Sequence, residues 1–173
     1  MALPSDRPLS IFIRDPRDAE LFYAKQEHYL LLSNLSVGYH NQTLYDIGTY
    51  RGLSALALSY NKTNKVVSYD IGYFVTINRP ENVEFRIGNF FTDREILKSP
   101  LIMFDVDPHD GKVERQFVDW LVENSYKGRI IFDDIHLNNE MESFWNSLTQ
   151  EKIDCTQYGH WSGTGMLILN GEQ

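Results

Sequence analysis

Apolar and polar positions recur along the chain with two periods, and each period predicts a kind of element. In residues 18–35 the apolar positions return every three or four residues, which predicts one amphipathic helix that Gly38 ends. Before it, residues 1–16 hold three prolines around a short apolar patch and predict an N-terminal arm on the surface of the domain. From residue 43 onward, short β-rich runs alternate with helical patches.

The β-rich runs predict five strands separated by crossover segments. They are Thr43–Ile47, Lys65–Asp70, Val83–Ile87 and residues 101–105 and 129–133. The helical patches between and after them are residues 53–60, a less regular stretch at 92–97, residues 113–124 and residues 141–148. Nearly continuous apolar strands that alternate with helices are typical of a sheet covered on both faces, so the pattern predicts an α/β fold with one doubly wound, mostly parallel sheet.

The end of the chain breaks this rhythm. Residues 153–158 and 166–169 predict two strands joined by a glycine-rich turn at 159–165, and such a hairpin would add one antiparallel strand. Repeats and linkers are absent from the sequence, so residues 17–173 are predicted to form one domain.

Composition and charge narrow the classes of function. A chain of 173 residues with 42% hydrophobic residues has material for one core. The net charge of −8 disfavours nucleic acid and anionic membranes as partners. Cys155 is the only cysteine, and neither a membrane-length apolar stretch nor a signal-like run is present, so we expect a soluble, unprocessed, cytoplasmic protein. The sequence leaves open whether it is a homo-oligomer.

Carboxylates at the ends of predicted strands are the first candidate functional residues. In open α/β sheets ligands bind at the carboxyl ends of the strands. Any single carboxylate there would serve equally well as a helix cap or a surface charge, but four together favour a site. The four are Asp46, Asp70, Asp105 and Asp133.

The turn after the first predicted strand is a candidate cofactor loop. It runs through residues 46–54, where Gly48 and Gly52 allow the backbone to pass close to a ligand. The same spacing suits a tight turn with no ligand, and it lacks the full dinucleotide fingerprint. Asp70, at the end of the next strand, is placed to accept both hydroxyls of a ribose. Together these residues favour an adenosyl ligand.

A second constellation favours a metal ion. If the fourth and fifth strands are neighbours, Asp105, Asp133 and Asp134 converge, and clustered carboxylates repel unless a proton or cation lies between them. Oxygen ligands favour Mg²⁺, Mn²⁺ or Ca²⁺. The alternative is that Asp134 only caps the next helix. His109 and His136 follow these aspartates and are candidates for a base or a fourth ligand.

The remaining candidates are weaker. His28 is predicted to pack on a helix face, whereas His40 and His160 lie in loops with no assigned role. Trp161, in the glycine-rich turn, is a candidate wall of an acceptor pocket or a lid on the core.

Over about residues 43–170 the chain resembles class I S-adenosylmethionine-dependent methyltransferases, in particular the small metal-dependent O-methyltransferases of the catechol, caffeoyl-CoA and macrocin types. Residues 46–54 look like the first motif of that family, Asp70 matches its ribose-binding acid, and residues 88–90 occupy the position near the adenine. The resemblance implies a Rossmann-like sheet of order 3-2-1-4-5-7-6 with the last strand antiparallel. It implies that S-adenosylmethionine is bound by Asp46, Gly48, Tyr50, Gly52, Ser54, Asp70, Asn89 and Phe90.

The acidic segments extend this resemblance to a metal site. Residues 104–107, followed by Asp133 and Asp134, are similar to the family's metal ligands. The resemblance implies that Asp105 and these two residues hold Mg²⁺ or Mn²⁺, which would bind the hydroxyl of a small acceptor, a phenol, catechol or sugar, and lower its pKa. Asp105, His109 and His136 are the candidate catalytic residues. Catechol-type enzymes carry a lysine just after the first metal aspartate, where this chain has Pro108 and His109.

Two other functions compete with methyl transfer. Asp105-Val106-Asp107 is similar to the metal-binding motif of nucleotide-sugar glycosyltransferases, which use Mn²⁺. The same fold would also serve a non-catalytic module that binds S-adenosylmethionine. A nicotinamide enzyme is disfavoured because the glycine pattern differs.

Overall fold

The structure, a computed structural model, describes residues 8–24 and 27–170. Its described part contains one seven-stranded sheet and five α-helices. The strands are β1 (Thr43–Ile47), β2 (Lys65–Asp70), β3 (Val83–Ile87), β4 (Leu101–Phe104), β5 (Lys127–Asp133), β6 (Glu151–Asp154) and β7 (Thr164–Asn170). The helices are α1 (Pro16–Phe22), α2 (Tyr29–Val37), α3 (Leu53–Leu58), α4 (Lys112–Glu123) and α5 (Asn139–Ser147).

The strand order is β3-β2-β1-β4-β5-β7-β6. The first five positions of this order are parallel, and β7 runs antiparallel to both β5 and β6. The fold class, the order implied by the resemblance and the antiparallel last strand are therefore confirmed.

Alternation along the strands divides the core into two layers. Tyr45 and Val67 face a layer completed by α4 and α5, while their neighbours Leu44 and Val66 face a layer completed by α1, α2 and α3. Because successive side chains of a strand point to opposite faces, helices must cover both sides of the sheet. The carboxyl ends of the parallel strands are left open at one edge.

The prediction of one helix over residues 18–35 is wrong, since two shorter helices occupy this region. Helix α1 begins earlier because Pro16 is its first residue and the Asp15 side chain accepts a hydrogen bond from the Arg17 amide. The rings of Phe22 and Tyr29 stack with centroids 5.4 Å apart. A continuous helix would separate residues seven positions apart by about 10.5 Å along its axis, so the chain must turn back between them. Residues 25 and 26 lie outside the described part.

Two further segments differ from their predictions. The predicted strand at 153–158 is the end of β6 followed by a 3-10 helix, Thr156–Tyr158. The Asp154 carboxylate causes this change because it accepts a hydrogen bond from the Thr156 amide. The helical patch at 92–97 is a pair of short 3-10 helices, Phe90–Thr92 and Arg94–Lys98.

The N-terminal segment packs on the domain. Residues 1–7 of the predicted arm lie outside the described part. Leu9 is fully buried in the layer that contains α2 and α3, and Arg14 Nε donates a hydrogen bond of 2.8 Å to Asn78 Oδ1. None of the helices in residues 8–24 and 27–170 has the length and apolar character needed to cross a membrane.

Candidate cofactor and metal site

One cavity of about 580 Å³ lies at the carboxyl ends of the parallel strands. This volume is typical of a small-molecule site. Tyr50 and Asp70 line one part of the cavity, and Asp105, Asp133 and Asp134 line another. The strands that carry these residues are neighbours in the sheet, which explains why residues far apart in sequence share one space.

The loop after β1 brings these two parts together. Gly48 has a φ of +98°, and its amide donates a hydrogen bond of 2.9 Å to the carbonyl of Tyr69. A side chain at this position would overlap with the backbone carbonyl of Asp105. Glycine is therefore required for the loop to lie directly against the segment after β4.

The Asp70 carboxylate is oriented by backbone amides. Its Oδ2 accepts a hydrogen bond of 2.7 Å from the Tyr50 amide, and its Oδ1 accepts one of 2.6 Å from the Ile71 amide. Each carboxylate oxygen keeps a further lone pair, so the group remains able to accept the two hydroxyls of a ribose. Gly88 also lines the cavity, and no described atom lies within 4 Å of the point where a Cβ would stand. These features fit an adenosyl group.

The predicted cofactor residues divide into two sets. Gly48, Tyr50, Asp70 and Phe90 line the cavity. Four others do not: Asp46, Gly52, Ser54 and Asn89. Asp46 is fully buried and accepts a hydrogen bond of 2.6 Å from Ser68 Oγ, while the Asn89 side chain accepts one of 3.0 Å from the Phe91 amide at the start of a 3-10 helix.

Three histidines alternate with the three predicted metal-binding aspartates around the acidic part of the cavity. Three groups have ligand atoms within 4.8 Å of one another among the described residues. They are His28, Asp105 and Asp133; Asp105, His109 and Asp134; and Asp133, Asp134 and His160. Every group contains one histidine, and none consists of the three aspartates alone. We call these six residues the Asp–His ring.

His160 is held firmly within the Asp–His ring. Its Nδ1 is 3.2 Å from Asp134 Oδ1 and 3.5 Å from Asp133 Oδ2. Ser162 Oγ contacts both His160 Nδ1 and Asp134 Oδ1. Burial favours the neutral imidazole, but hydrogen bonds to the two carboxylates raise the pKa of His160 to about 10.

His28 lies deeper. Only 2% of this residue is exposed, and its Nδ1 is 3.2 Å from Asp133 Oδ2. Burial lowers the pKa of His28, but the negative charge of Asp133 outweighs it and raises the pKa to about 9. Burial opposes ionisation of Asp133, yet the charge of His28 brings its pKa well below the usual range. Burial, together with the charge of Asp133, raises the pKa of Asp105. The histidines thus balance part of the carboxylate charge.

The other predicted catalytic residues lie in different places. His109 Nε2 is 3.8 Å from Asp105 Oδ1 and 3.5 Å from Asp134 Oδ2, inside the cavity. His136 does not line the cavity, and its Nε2 is 2.9 Å from Asp154 Oδ2. Trp161 is 68% exposed and contacts His160, but it too is absent from the cavity wall.

Sequence reasoning missed Glu27, His28 and His160, which all line the cavity. A signal for His160 existed, because an order with strand 7 beside strand 5 places the turn at 159–165 next to Asp133. In the structure Asp133 is opposite Thr164. For His28 the signal was a titratable side chain on the apolar face of a predicted helix, which is costly to bury without a charged partner.

No protein-family model matches the chain, and no curated protein sequence matches it. Solved structures do match. The O-methyltransferase TomG from Streptomyces achromogenes, which is involved in tomaymycin synthesis and was solved with S-adenosylmethionine, is 15% identical with a TM-score of 0.59, over 98% of this chain and 92% of that one. An O-methyltransferase from Bacillus cereus, in complex with S-adenosylhomocysteine, is 14% identical with a TM-score of 0.57, over 98% and 94% of the two chains.

An RNA methyltransferase from Salinibacter ruber, in complex with S-adenosylhomocysteine, is also similar. It is 16% identical with a TM-score of 0.55, and the match covers 84% of this chain and 92% of that one. At these identities the similarity establishes the fold. The chain has the Rossmann-like fold of S-adenosylmethionine-dependent methyltransferases.

Proposed function

We propose that this protein transfers a methyl group from S-adenosylmethionine to a hydroxyl of a small acceptor, with the help of a divalent cation. The observation that carries the proposal is the single cavity that Asp70 and the Asp–His ring share. A cofactor held at Asp70 and an acceptor held at the ring would then occupy one space, whose wall includes Gly48.

The cofactor part of the cavity would bind and orient the nucleoside. Asp70, fixed by the amides of Tyr50 and Ile71, accepts the ribose hydroxyls. Phe90 and the open position at Gly88 border the space available to the base. S-adenosylmethionine, when bound, supplies a methyl group on a sulfonium, which an aligned hydroxyl oxygen attacks.

The acidic part of the cavity would hold the acceptor. Asp105, Asp133 and Asp134, each grouped with a neighbouring histidine, offer oxygen donors of the kind that a divalent cation takes, and such an ion, when bound, lowers the pKa of a hydroxyl. His109 Nε2 faces Asp105 and Asp134 from within the cavity and is the proposed acceptor of the hydroxyl proton. His136 is a less favourable candidate because Asp154 engages it outside the cavity wall.

A small acceptor is favoured over a polymer. The cavity wall combines apolar side chains such as Leu21, Tyr29 and Phe74 with the acidic ring, a combination suited to a phenol, catechol or sugar. The net charge of −8 opposes binding of RNA. Among the sequence-based alternatives, the glycosyltransferase motif has less support because Asp107 belongs to none of the three groups of ligand atoms found among the described residues.

Calorimetry with S-adenosylhomocysteine tests the cofactor assignment. We expect micromolar binding by the wild type and a loss of about tenfold or more in Asp70→Asn, which keeps the shape of the side chain but removes its charge. Asp119→Asn, an exposed position on α4 outside the cavity wall, is the matched control and should bind like the wild type. Absence of binding by the folded wild type would contradict the proposal.

A second assay separates catalysis from binding. The wild type is incubated with S-adenosylmethionine, Mg²⁺ or Mn²⁺, and catechols, phenols and sugars, and S-adenosylhomocysteine is measured. Acceptor-dependent product that EDTA abolishes supports metal-assisted transfer. Cofactor binding without any product would favour the non-catalytic module.

A further inference from the structure

The arrangement of the Asp–His ring differs from an all-carboxylate metal site. The three aspartates do not approach one another as a set, whereas each neighbouring pair shares a histidine within 4.8 Å. Any described group that can enclose an ion therefore offers one nitrogen and two oxygens. The resemblance alone implies three oxygens, whereas the structure places one histidine nitrogen beside each pair of these aspartates.

His28 is the histidine whose surroundings indicate a ligand. Within the described part of the chain, neither of its ring nitrogens has a hydrogen-bond partner, although the residue is 2% exposed and lines the cavity. Its Nδ1 is 3.2 Å from Asp133 Oδ2 but does not have hydrogen-bonding geometry with it. Two ligands of one ion at metal–ligand distances near 2.1 Å are separated by about 3.0–3.4 Å in octahedral or tetrahedral geometry. The pair is thus spaced as two ligands of one ion would be.

Two other members of the ring, His160 and Asp134, are already engaged by hydrogen bonds. His160 and Asp134 share the hydroxyl of Ser162 and contact each other at 3.2 Å. These hydrogen bonds fix the orientation of the two side chains and occupy the Nδ1 atom of His160. Of the three groups, the one formed by His28, Asp105 and Asp133 is the one with buried ring nitrogens that lack a hydrogen-bond partner among the described residues.

We propose that His28, Asp105 and Asp133 bind a transition-metal ion, with the His28 imidazole as nitrogen ligand, in preference to Mg²⁺. The inference deepens the proposed function by naming the class of ion at the same site. Imidazole suits Co²⁺, Fe²⁺, Zn²⁺ and, with carboxylates, Mn²⁺, whereas Mg²⁺ prefers oxygen ligands only. In the group formed with Asp105 and Asp133, the third ligand atom comes from His28 and not from Asp134.

Protonated histidines are the competing explanation of the ring. They would neutralise the carboxylates without any ion, and the metal would then bind weakly or not at all. Direct detection of a metal–nitrogen bond distinguishes the two explanations.

The experiment uses the full chain after removal of metal with EDTA and dialysis. Affinities for Mg²⁺, Mn²⁺ and Co²⁺ are measured by calorimetry, and the Mn²⁺ complex is examined by electron spin echo spectroscopy for ¹⁴N coupling. We expect Co²⁺ to bind at least about tenfold more tightly than Mg²⁺, with ¹⁴N coupling in the wild type. In His28→Gln the coupling should disappear and the ratio of affinities should fall toward that of carboxylates alone. His40→Gln, at an exposed histidine outside the cavity wall, should behave as the wild type.

The wild-type spectrum decides the matter even if His28→Gln does not fold. A bound Mn²⁺ without ¹⁴N coupling, or an absence of metal binding, would overturn the inference. Coupling that persists in folded His28→Gln would overturn it as well, because another histidine would then be the ligand. Binding of S-adenosylhomocysteine, measured on the same samples, reports separately on the proposed function.

Discussion

Among individual residues, Asp46 is a carboxylate whose burial disfavours its charged form. It is fully buried beneath the cofactor loop, and burial raises its pKa to about 6, although the hydrogen bond from Ser68 opposes this shift. The folded pKa lies above the value of 3.8 expected when the chain is unfolded, so the fold favours the protonated form. This contribution to stability is full below the unfolded pKa and is lost as the pH rises through about 6.

Replacing Asp46 with asparagine should remove this pH dependence. Between pH 5 and pH 8 the wild type should lose about 1 kcal/mol of unfolding free energy from this group, and Asp46→Asn should not. Urea denaturation at the two pH values gives the difference. Asp119→Asn, at an exposed site, serves as control. If the unfolding free energy of Asp46→Asn depended on pH as much as that of the wild type, the Asp46 carboxylate would be ionised in the folded protein at little energetic cost.

Gly48 is the residue on which the contact between the two parts of the cavity depends. Alanine there would combine a φ of +98° with an overlap on the carbonyl of Asp105, so we expect Gly48→Ala to lower the unfolding free energy by about 3 kcal/mol. Gly38 has a φ of −72° and its added Cβ would meet ordinary contacts, so Gly38→Ala should change stability by less than about 1 kcal/mol. Urea denaturation of both variants checks the contrast. Equal effects would mean that the loop can shift away from β4.

At the scale of elements, an ion pair joins α1 to the cofactor loop. Arg51 Nη2 lies 2.9 Å from Asp18 Oδ1, and Asp18 is 1% exposed. The Thr76 hydroxyl donates a hydrogen bond of 2.9 Å to the same carboxylate. Arg51 thus ties the first helix to the loop that lies over Asp70.

Removing Arg51 should leave a buried carboxylate without its cation. We expect Arg51→Met to lower the unfolding free energy by about 3 kcal/mol and the double variant Arg51→Met/Asp18→Asn to lower it by less than the sum of the two single changes. Arg17→Met is the matched control, since Arg17 is 83% exposed and its pair with Asp15 should contribute less than about 1 kcal/mol. Chemical denaturation of the set measures the coupling. Additive effects would show that the pair does not hold α1.

The strands were easier to predict than the helices, for a physical reason. β1, β2 and β3 match their predictions because short apolar runs bounded by turn residues carry their own limits. The helix over residues 18–35 was wrong because its periodicity continues across the turn between α1 and α2. Only the stacking of Phe22 on Tyr29, a tertiary contact, reveals that turn.

The residues of the candidate site also differ in how far the sequence predicts their positions. Asp70, Asp105 and Asp133 were identified because strand ends collect ligands in any open α/β sheet. His28 reaches the cavity from the segment just before α2, and His160 from the loop before β7, so their positions depend on packing between distant elements. Of the three histidines in the Asp–His ring, only His109 could be proposed as a ligand from the sequence, because it directly follows the first aspartate motif.

For the molecule as a whole, fold and charge point to different acceptors. The same fold occurs in O-methyltransferases and in an RNA methyltransferase, so the fold alone does not select the acceptor. Charge does discriminate, since 24 acidic residues stand against 16 basic ones and five aspartates line the cavity itself. A polyanion such as RNA would be repelled by this negative charge as it approached the cavity.

Labelled single-stranded and double-stranded RNA should therefore not bind. Counterion release makes non-specific binding strongest at low salt, so fluorescence anisotropy at 20 mM salt is the most demanding condition, and we expect no saturation up to about 100 µM protein. A basic RNA-binding protein on the same oligonucleotides shows that the assay detects binding. A dissociation constant near 1 µM that weakens steeply with salt would contradict the prediction, because it would require a local basic surface that outweighs the net charge of −8. The acceptor would then have to be sought among nucleic acids rather than small hydroxylated molecules.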